Sequence, residues 1–256
     1  MGFGFGNRKK RGGIRHWNPE DYGLILLPGV PKCGTSSMFS DLVQFKDVIS
    51  NRCKEVNLPL DDEVMSTTWF EKVNPEKATS GWLIDASQNY CWDVKNRDLE
   101  YLAEQKFRDI RVILMYRNPI FRAASNYEMN KKQHGWKKDF KDAWRNYCDE
   151  KGQRIMGDYL AFYRKNRKLF GKERVKVVLS EEYFGNRTKV LGEVREFLGF
   201  DGDVELFTQE IISPMNEEGP AQYDLSDELY EQLKQYFEKR IRLFERHLGI
   251  RTNWLD

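Results

Sequence analysis

The stretch from Leu24 to Ser37 constrains this chain more than any other. It runs as four aliphatic residues, a loop with two glycines and a lysine, and three consecutive hydroxyl residues. Leu24-Ile25-Leu26-Leu27, bounded by Gly23 and Pro28, is the continuous apolar run of a strand buried on both faces of a sheet. Thr35-Ser36-Ser37 then precede Met38, Phe39, Leu42, Val43 and Phe45. That spacing predicts a helix entered through hydroxyl caps. Strand, glycine loop and helix N-terminus together aim backbone N–H groups and the positive end of a helix dipole at a phosphate.

Gly29 and Gly34 have the spacing of the nucleotide-binding P-loop, Gly-x4-Gly-Lys-Ser/Thr. Here Thr35 follows the second glycine, and the lysine sits two places before it, at Lys32. This hydroxyl-rich form, Pro31-Lys32-Cys33-Gly34-Thr35-Ser36-Ser37, resembles the 5′-phosphosulfate loop of sulfotransferases that use 3′-phosphoadenosine-5′-phosphosulfate (PAPS). A second apolar run, Arg111 to Tyr116, leads into Arg117-Asn118-Pro119-Ile120-Phe121-Arg122-Ala123-Ala124-Ser125. Pro119 suits the first turn of a helix, and Arg117 falls at a strand tip, where ligands collect in open α/β sheets. The pattern Arg-Asn-Pro-x-x-Arg-x-x-Ser resembles the same family's 3′-phosphate site.

The resemblance runs in order from Gly23 to Gly249. It implies an α/β, P-loop-like three-layer α/β/α fold with a central parallel sheet. The donor's phosphosulfate would lie on Lys32, Cys33, Gly34, Thr35, Ser36 and Ser37, and its 3′-phosphate on Arg117 and Ser125. PAPS is then the donor, 3′-phosphoadenosine-5′-phosphate (PAP) the product, and no metal is required. Lys54-Glu55 matches the start of the Lys-Glu-x-His segment of glycosaminoglycan sulfotransferases, which implies Glu55 as the base and Lys32 as the stabiliser of the leaving phosphate. Asn57 stands in place of the histidine. Lys54 and Asp85 are the candidate acceptor contacts, although Asp85 also reads as a cap for the turn that follows it. The implied acceptor is a hydroxyl or amine of a carbohydrate or small polar molecule. Two other classes remain at this point: an ATP-dependent kinase, which lacks the lysine after Gly34, and a non-catalytic binder of anionic ligands.

The bulk properties narrow the classes further. The 256 residues suit one domain over residues 21–256, and a formal charge of +2 does not mark a nucleic-acid binder. The positive charge concentrates at the start, in Arg8, Lys9, Lys10, Arg11 and Arg15, so residues 1–20 read as a disordered basic tail. No apolar run reaches the ~18 residues of a membrane span, and no signal peptide is visible. Cys33, Cys53, Cys91 and Cys148 lack metal-ligand spacing. A reduced, cytoplasmic protein is expected, or a Golgi luminal one if an anchor has been trimmed.

The remaining periodicity alternates. Residues 47–50 predict a short strand, Leu60 to Val73 an acid-started helix, and Trp82 to Tyr90 a strand followed by a loop. Arg97 to Phe107 predicts a crossover helix, Met129 to Trp144 a solvated helix pair, and Arg154 to Phe170 an amphipathic helix. Val175 to Leu179 predicts a strand and Val190 to Leu198 a helix. Asp201 to Gln222 is a long loop, and Leu225 to Leu248 carries one apolar stripe. Repeated βα units of this kind call for a parallel sheet covered on both faces.

Overall fold

The structure, a computed structural model, describes residues 18–49, 53–56, 69–74, 78–91, 97–135, 137, 139–147, 155–201 and 225–256. The apolar run after Asp21 becomes β1 (Tyr22–Leu26), buried along its whole length. It pairs in parallel with β2 (Gly81–Asp85) on one side and β3 (Asp109–Tyr116) on the other. β3 in turn pairs with β4 (Val175–Leu179), giving the order β2-β1-β3-β4. The chain leaves β1 for β2, then returns past β1 to form β3. That reversal makes the carboxyl ends of β1 and β3 a topological switch point, the position where open α/β sheets bind ligands.

Helices fill the connections: α1 (Thr35–Leu42), α2 (Arg97–Glu104), α3 (Pro119–His134), α4 (Phe140–Tyr147), α5 (Tyr159–Phe170), α6 (Ser180–Gly185), α7 (Arg187–Leu198) and α8 (Asp227–Leu248). Most boundaries follow local chemistry. Asn118 caps α3 ahead of Pro119, Asp158 caps α5, Ser226 caps α8, and left-handed Gly135, Gly199 and Gly249 close α3, α7 and α8. The predicted stripe of α8 is buried at Leu229, Leu233, Phe237, Ile241 and Phe244. Each such side chain contributes about 1.5–3 kcal/mol on leaving water.

Several expectations need correction. The strand at 47–50 shrinks to a single parallel bridge, Val48 to Trp82. The helix expected from Arg154 begins at Tyr159, because Asp158 accepts from the Ala161 N–H and so starts the helix there. Residues 18–20, placed in the tail by composition, enter a 3-10 turn, Pro19–Asp21, with Asn18 accepting from the Glu20 N–H. Residues 1–17, Cys148, most of the helix expected before Trp69, and most of the long loop after Asp201 lie outside the described residues.

One buried polar cluster and one aromatic cluster tie the elements together. Asp41 of α1 is wholly buried and accepts from Tyr183 Oη and from the guanidinium of Arg187, whose Nε lies 2.9 Å from Oδ2. This fastens α1 to α6 and α7. At the end of β3, Tyr116 stacks on Tyr159 at 4.3 Å and meets Phe244 edge-on.

Candidate active site

The loop after β1 carries Lys32 and Cys33 beyond the carboxyl end of the strand. Lys32 takes a left-handed φ of 69° and is half-buried, while Cys33 is fully buried. Gly34 is the N-cap of α1, with φ 83° and ψ 12°, and no side chain caps the helix. The sequence pattern had assigned that task to the hydroxyls, but a left-handed turn at Gly34 starts the helix at Thr35 itself. Thr35 is buried, Ser37 half-buried and Ser36 exposed. The first turn of α1 is therefore entered through bare backbone, an arrangement suited to an anion. A Cβ on Gly34 would stand 3.0 Å from the Phe184 ring and 3.3 Å from Met115 Cε, so the backbone runs close against its neighbours there.

Arg117 follows directly on β3 and is half-buried. Its carbonyl accepts a 2.6 Å hydrogen bond from Tyr159 Oη. Ser125 lies half-buried on α3, and Arg122 of the same helix is wholly buried. Both corners share one electrostatic neighbourhood. Burial pushes the Cys33 thiol up to about 12, while the positive charges of Arg122 and Arg117 pull the other way.

The third candidate lies one strand over. The Ala86 N–H at the end of β2 donates to the Lys54 carbonyl at 3.0 Å, and the Leu27 N–H donates to the Asp85 carbonyl at 2.9 Å. These bonds hold Lys54 and Glu55 at the carboxyl edge beside the exit of β1. Glu55 is exposed, and its Oε1 accepts from Lys54 Nζ at 2.7 Å. Lys32, Glu55 and Arg117 thus all stand at the carboxyl edge of the sheet, after β1, beside the end of β2 and after β3.

Asp85 is the last residue of β2. It is wholly buried and accepts from Trp69 Nε1 at 2.8 Å, Tyr90 Oη at 2.7 Å, the Ser87 N–H at 2.9 Å, and Ser87 Oγ. Of its two sequence readings, the local one fits: the carboxylate closes the turn before the 3-10 segment Gln88–Cys91. Burial raises its pKa, against the pull of the Ser87, Trp69 and Tyr90 hydrogen bonds.

Sequence reasoning missed the groups that hold the edge together, chiefly Ser180 and Glu181. Their partners lie 147, 64 and 63 residues away. Among the described residues no group of three or more His, Cys, Asp or Glu side chains gathers in a metal-binding arrangement. No described helix is long and apolar enough to cross a membrane.

Comparison with known proteins places these features in context. The family model described as a sulfotransferase domain matches residues 23–239. The fold is similar to that of a sulfotransferase from Alicyclobacillus acidocaldarius, at 22% identity and TM-score 0.70, covering 91% of this chain and 98% of that one. It is also similar to mouse sulfotransferase SULT7A1 complexed with PAP, at 13% identity and TM-score 0.56, covering 88% and 84% of the two chains. No match was found among curated proteins.

Proposed function

The chain belongs to the sulfotransferase domain family, and from that premise we propose that it moves a sulfuryl group from PAPS to a hydroxyl or amine of a carbohydrate or small polar acceptor. What supports this reading is the placement of two cationic stretches at the carboxyl ends of the adjacent strands β1 and β3. The Lys32 loop and the uncapped start of α1 follow β1, and Arg117, with Ser125 on α3, follows β3. An adenosine carrying phosphates at both ends has the charge distribution to fill them.

The residues present suit such a donor. Gly34 leaves the first turn of α1 open to an anion, and Lys32 in its left-handed turn supplies a compact positive charge beside it. Thr35, Ser36 and Ser37 bring hydroxyl donors to the same turn, and Cys33 contributes its backbone. Arg117 supplies a planar cation, and Ser125 a hydroxyl, for the second phosphate.

In the transfer step the acceptor oxygen or nitrogen attacks sulfur in line, a new bond to sulfur forms, and the bond between sulfur and the bridging oxygen breaks. Glu55 takes the acceptor proton. With Oε1 engaged by Lys54, we assign the proton to Oε2. The electron pair of the broken bond stays on the departing phosphate oxygen. Lys32 and the N-terminus of α1 stabilise that growing charge. Positioning and preorganised positive charge supply the acceleration, as they do in phosphoryl transfer. On this reading the cations are all protein side chains, and a chelator leaves the rate unchanged.

The cysteines favour a reducing compartment: Cys33, Cys53 and Cys91 are free. Incubation with sulfur-labelled PAPS and a panel of glycans, alcohols and amines tests the proposal. Label should pass to one acceptor class, and Glu55→Gln should abolish the transfer while leaving PAP binding intact. A protein that binds PAP and labels nothing across the panel, with Glu55→Gln unchanged from the parent, would be a binding module instead.

A further inference from the structure

The ladder between β1 and β3 ends early. Its registered pairs run only from Gly23–Asp109 to Leu26–Val112. Beyond them the Val30 N–H reaches the Met115 carbonyl at a long 3.4 Å. The Lys32 loop therefore extends past the β1–β3 ladder, while the tip of β3 stays paired to β4 through Tyr116–Leu179, and something else must fix the gap between loop and tip.

The first residues of α6 fill that role. Ser180 is 2% exposed, and its hydroxyl lies 2.8 Å from the Cys33 carbonyl and 2.9 Å from the Tyr116 carbonyl. One hydroxyl proton is shared between two buried acceptors, one from each corner. Glu181 then accepts from the Asn118 N–H at 2.7 Å. The three bonded backbone groups belong to the residue after Lys32 and to the two residues flanking Arg117.

We infer that Ser180 and Glu181 are positioning residues that set the distance between the Lys32 loop and the Arg117 corner, and so select a ligand long enough to bridge both. The inference rests on the reading of those corners as the two ends of one nucleotide site. Neither residue needs to touch the ligand. Ser180 acts through two carbonyls and Glu181 through one N–H, and the end of β4 serves as the rigid post from which both reach across.

The test is calorimetric titration of the full chain with PAP, which spans both corners, and with adenosine 5′-phosphate, which lacks the second phosphate. Ser180→Ala should weaken PAP roughly tenfold, about the worth of stranding a buried carbonyl, and adenosine 5′-phosphate clearly less. Glu181→Ala should show the same split. Glu181→Gln keeps an amide oxygen for the Asn118 N–H, so it should bind both ligands almost as the parent does. This second pair decides the matter if Ser180→Ala fails to fold. Equal losses for the two ligands, or no loss, in a parent that prefers PAP would overturn the clasp alone. A parent that binds both ligands equally would overturn the two-corner reading, and the clasp with it.

Discussion

Replacement of Asp85 separates an internal role from an acceptor contact, and the hydrogen bonds set the magnitudes. Its carboxylate receives two N–H donors, from Trp69 and Ser87, and two hydroxyls, from Tyr90 and Ser87. In Asp85→Ala the hydroxyls rotate to new partners or lose little, but the two N–H groups cannot turn away. Each stranded donor costs about 1–3 kcal/mol, so the loss should be about 2–6 kcal/mol. Asp85→Asn keeps one acceptor oxygen. Whichever way the amide is flipped, its NH2 faces one of the two N–H donors, and the expected loss falls to about 1–3 kcal/mol.

The ionised carboxylate can accept from all four groups, which favours the charged form, but burial disfavours that form more. The pKa is therefore raised, with burial as its first cause. The folded protein then holds the proton more tightly than the unfolded chain. The stability it contributes is complete below the ordinary value of 3.8 and is lost as pH rises through the raised folded value. Urea unfolding of the parent and both variants, repeated across acidic to neutral pH, checks the order and the slope. The parent's advantage over Asp85→Asn should shrink as pH rises. An unchanged unfolding midpoint in Asp85→Asn, together with a raised acceptor KM, would refute the internal role.

Other outcomes follow from the same structure. Arg187→Ala leaves the wholly buried Asp41 with Tyr183 as its remaining partner in this cluster; thermal unfolding should report a loss of about 3–5 kcal/mol, the usual cost of stranding a buried charge. Gly34→Ala forces a left-handed φ of 83° on a residue with a Cβ, costing about 1–2 kcal/mol. Phe184 is 43% exposed and can swing aside, so Phe184→Ala should not rescue the stability of Gly34→Ala. Arg117→Ala should weaken PAP far more than adenosine 5′-phosphate in direct titration, and equal losses would move the second phosphate elsewhere. Cys33 and Cys91, both pushed up to about 12 by burial, should resist iodoacetamide near neutral pH in the native protein, whereas exposed Cys53 should be modified, as peptide mass mapping will read.

Local sequence settled much of what is locally determined. The aliphatic runs at Leu24 and Val112 could only be buried strands, and Pro119 and the paired glycines marked where helices and loops begin. Lys32 and Arg117 were therefore legible as residues at strand ends, and the alternation of strand and helix was enough to call for a parallel sheet. The Thr35 hydroxyls misled as caps because a left-handed glycine, which leaves no side-chain signature, starts the helix instead.

Only the tertiary structure decided the sheet order that sets β1 between β2 and β3, and with it the neighbouring strand ends from which Lys32 and Arg117 follow. It also decided that Asp85 faces inward. Whether a carboxylate ends in water or among Trp69 and Tyr90 depends on what packs over the strand end, and no spacing in the chain encodes that. Ser180 is the clearest case. Its hydroxyl bonds carbonyls 147 and 64 residues away, and a carbonyl is the same group in every residue, so composition carries no trace of the pairing.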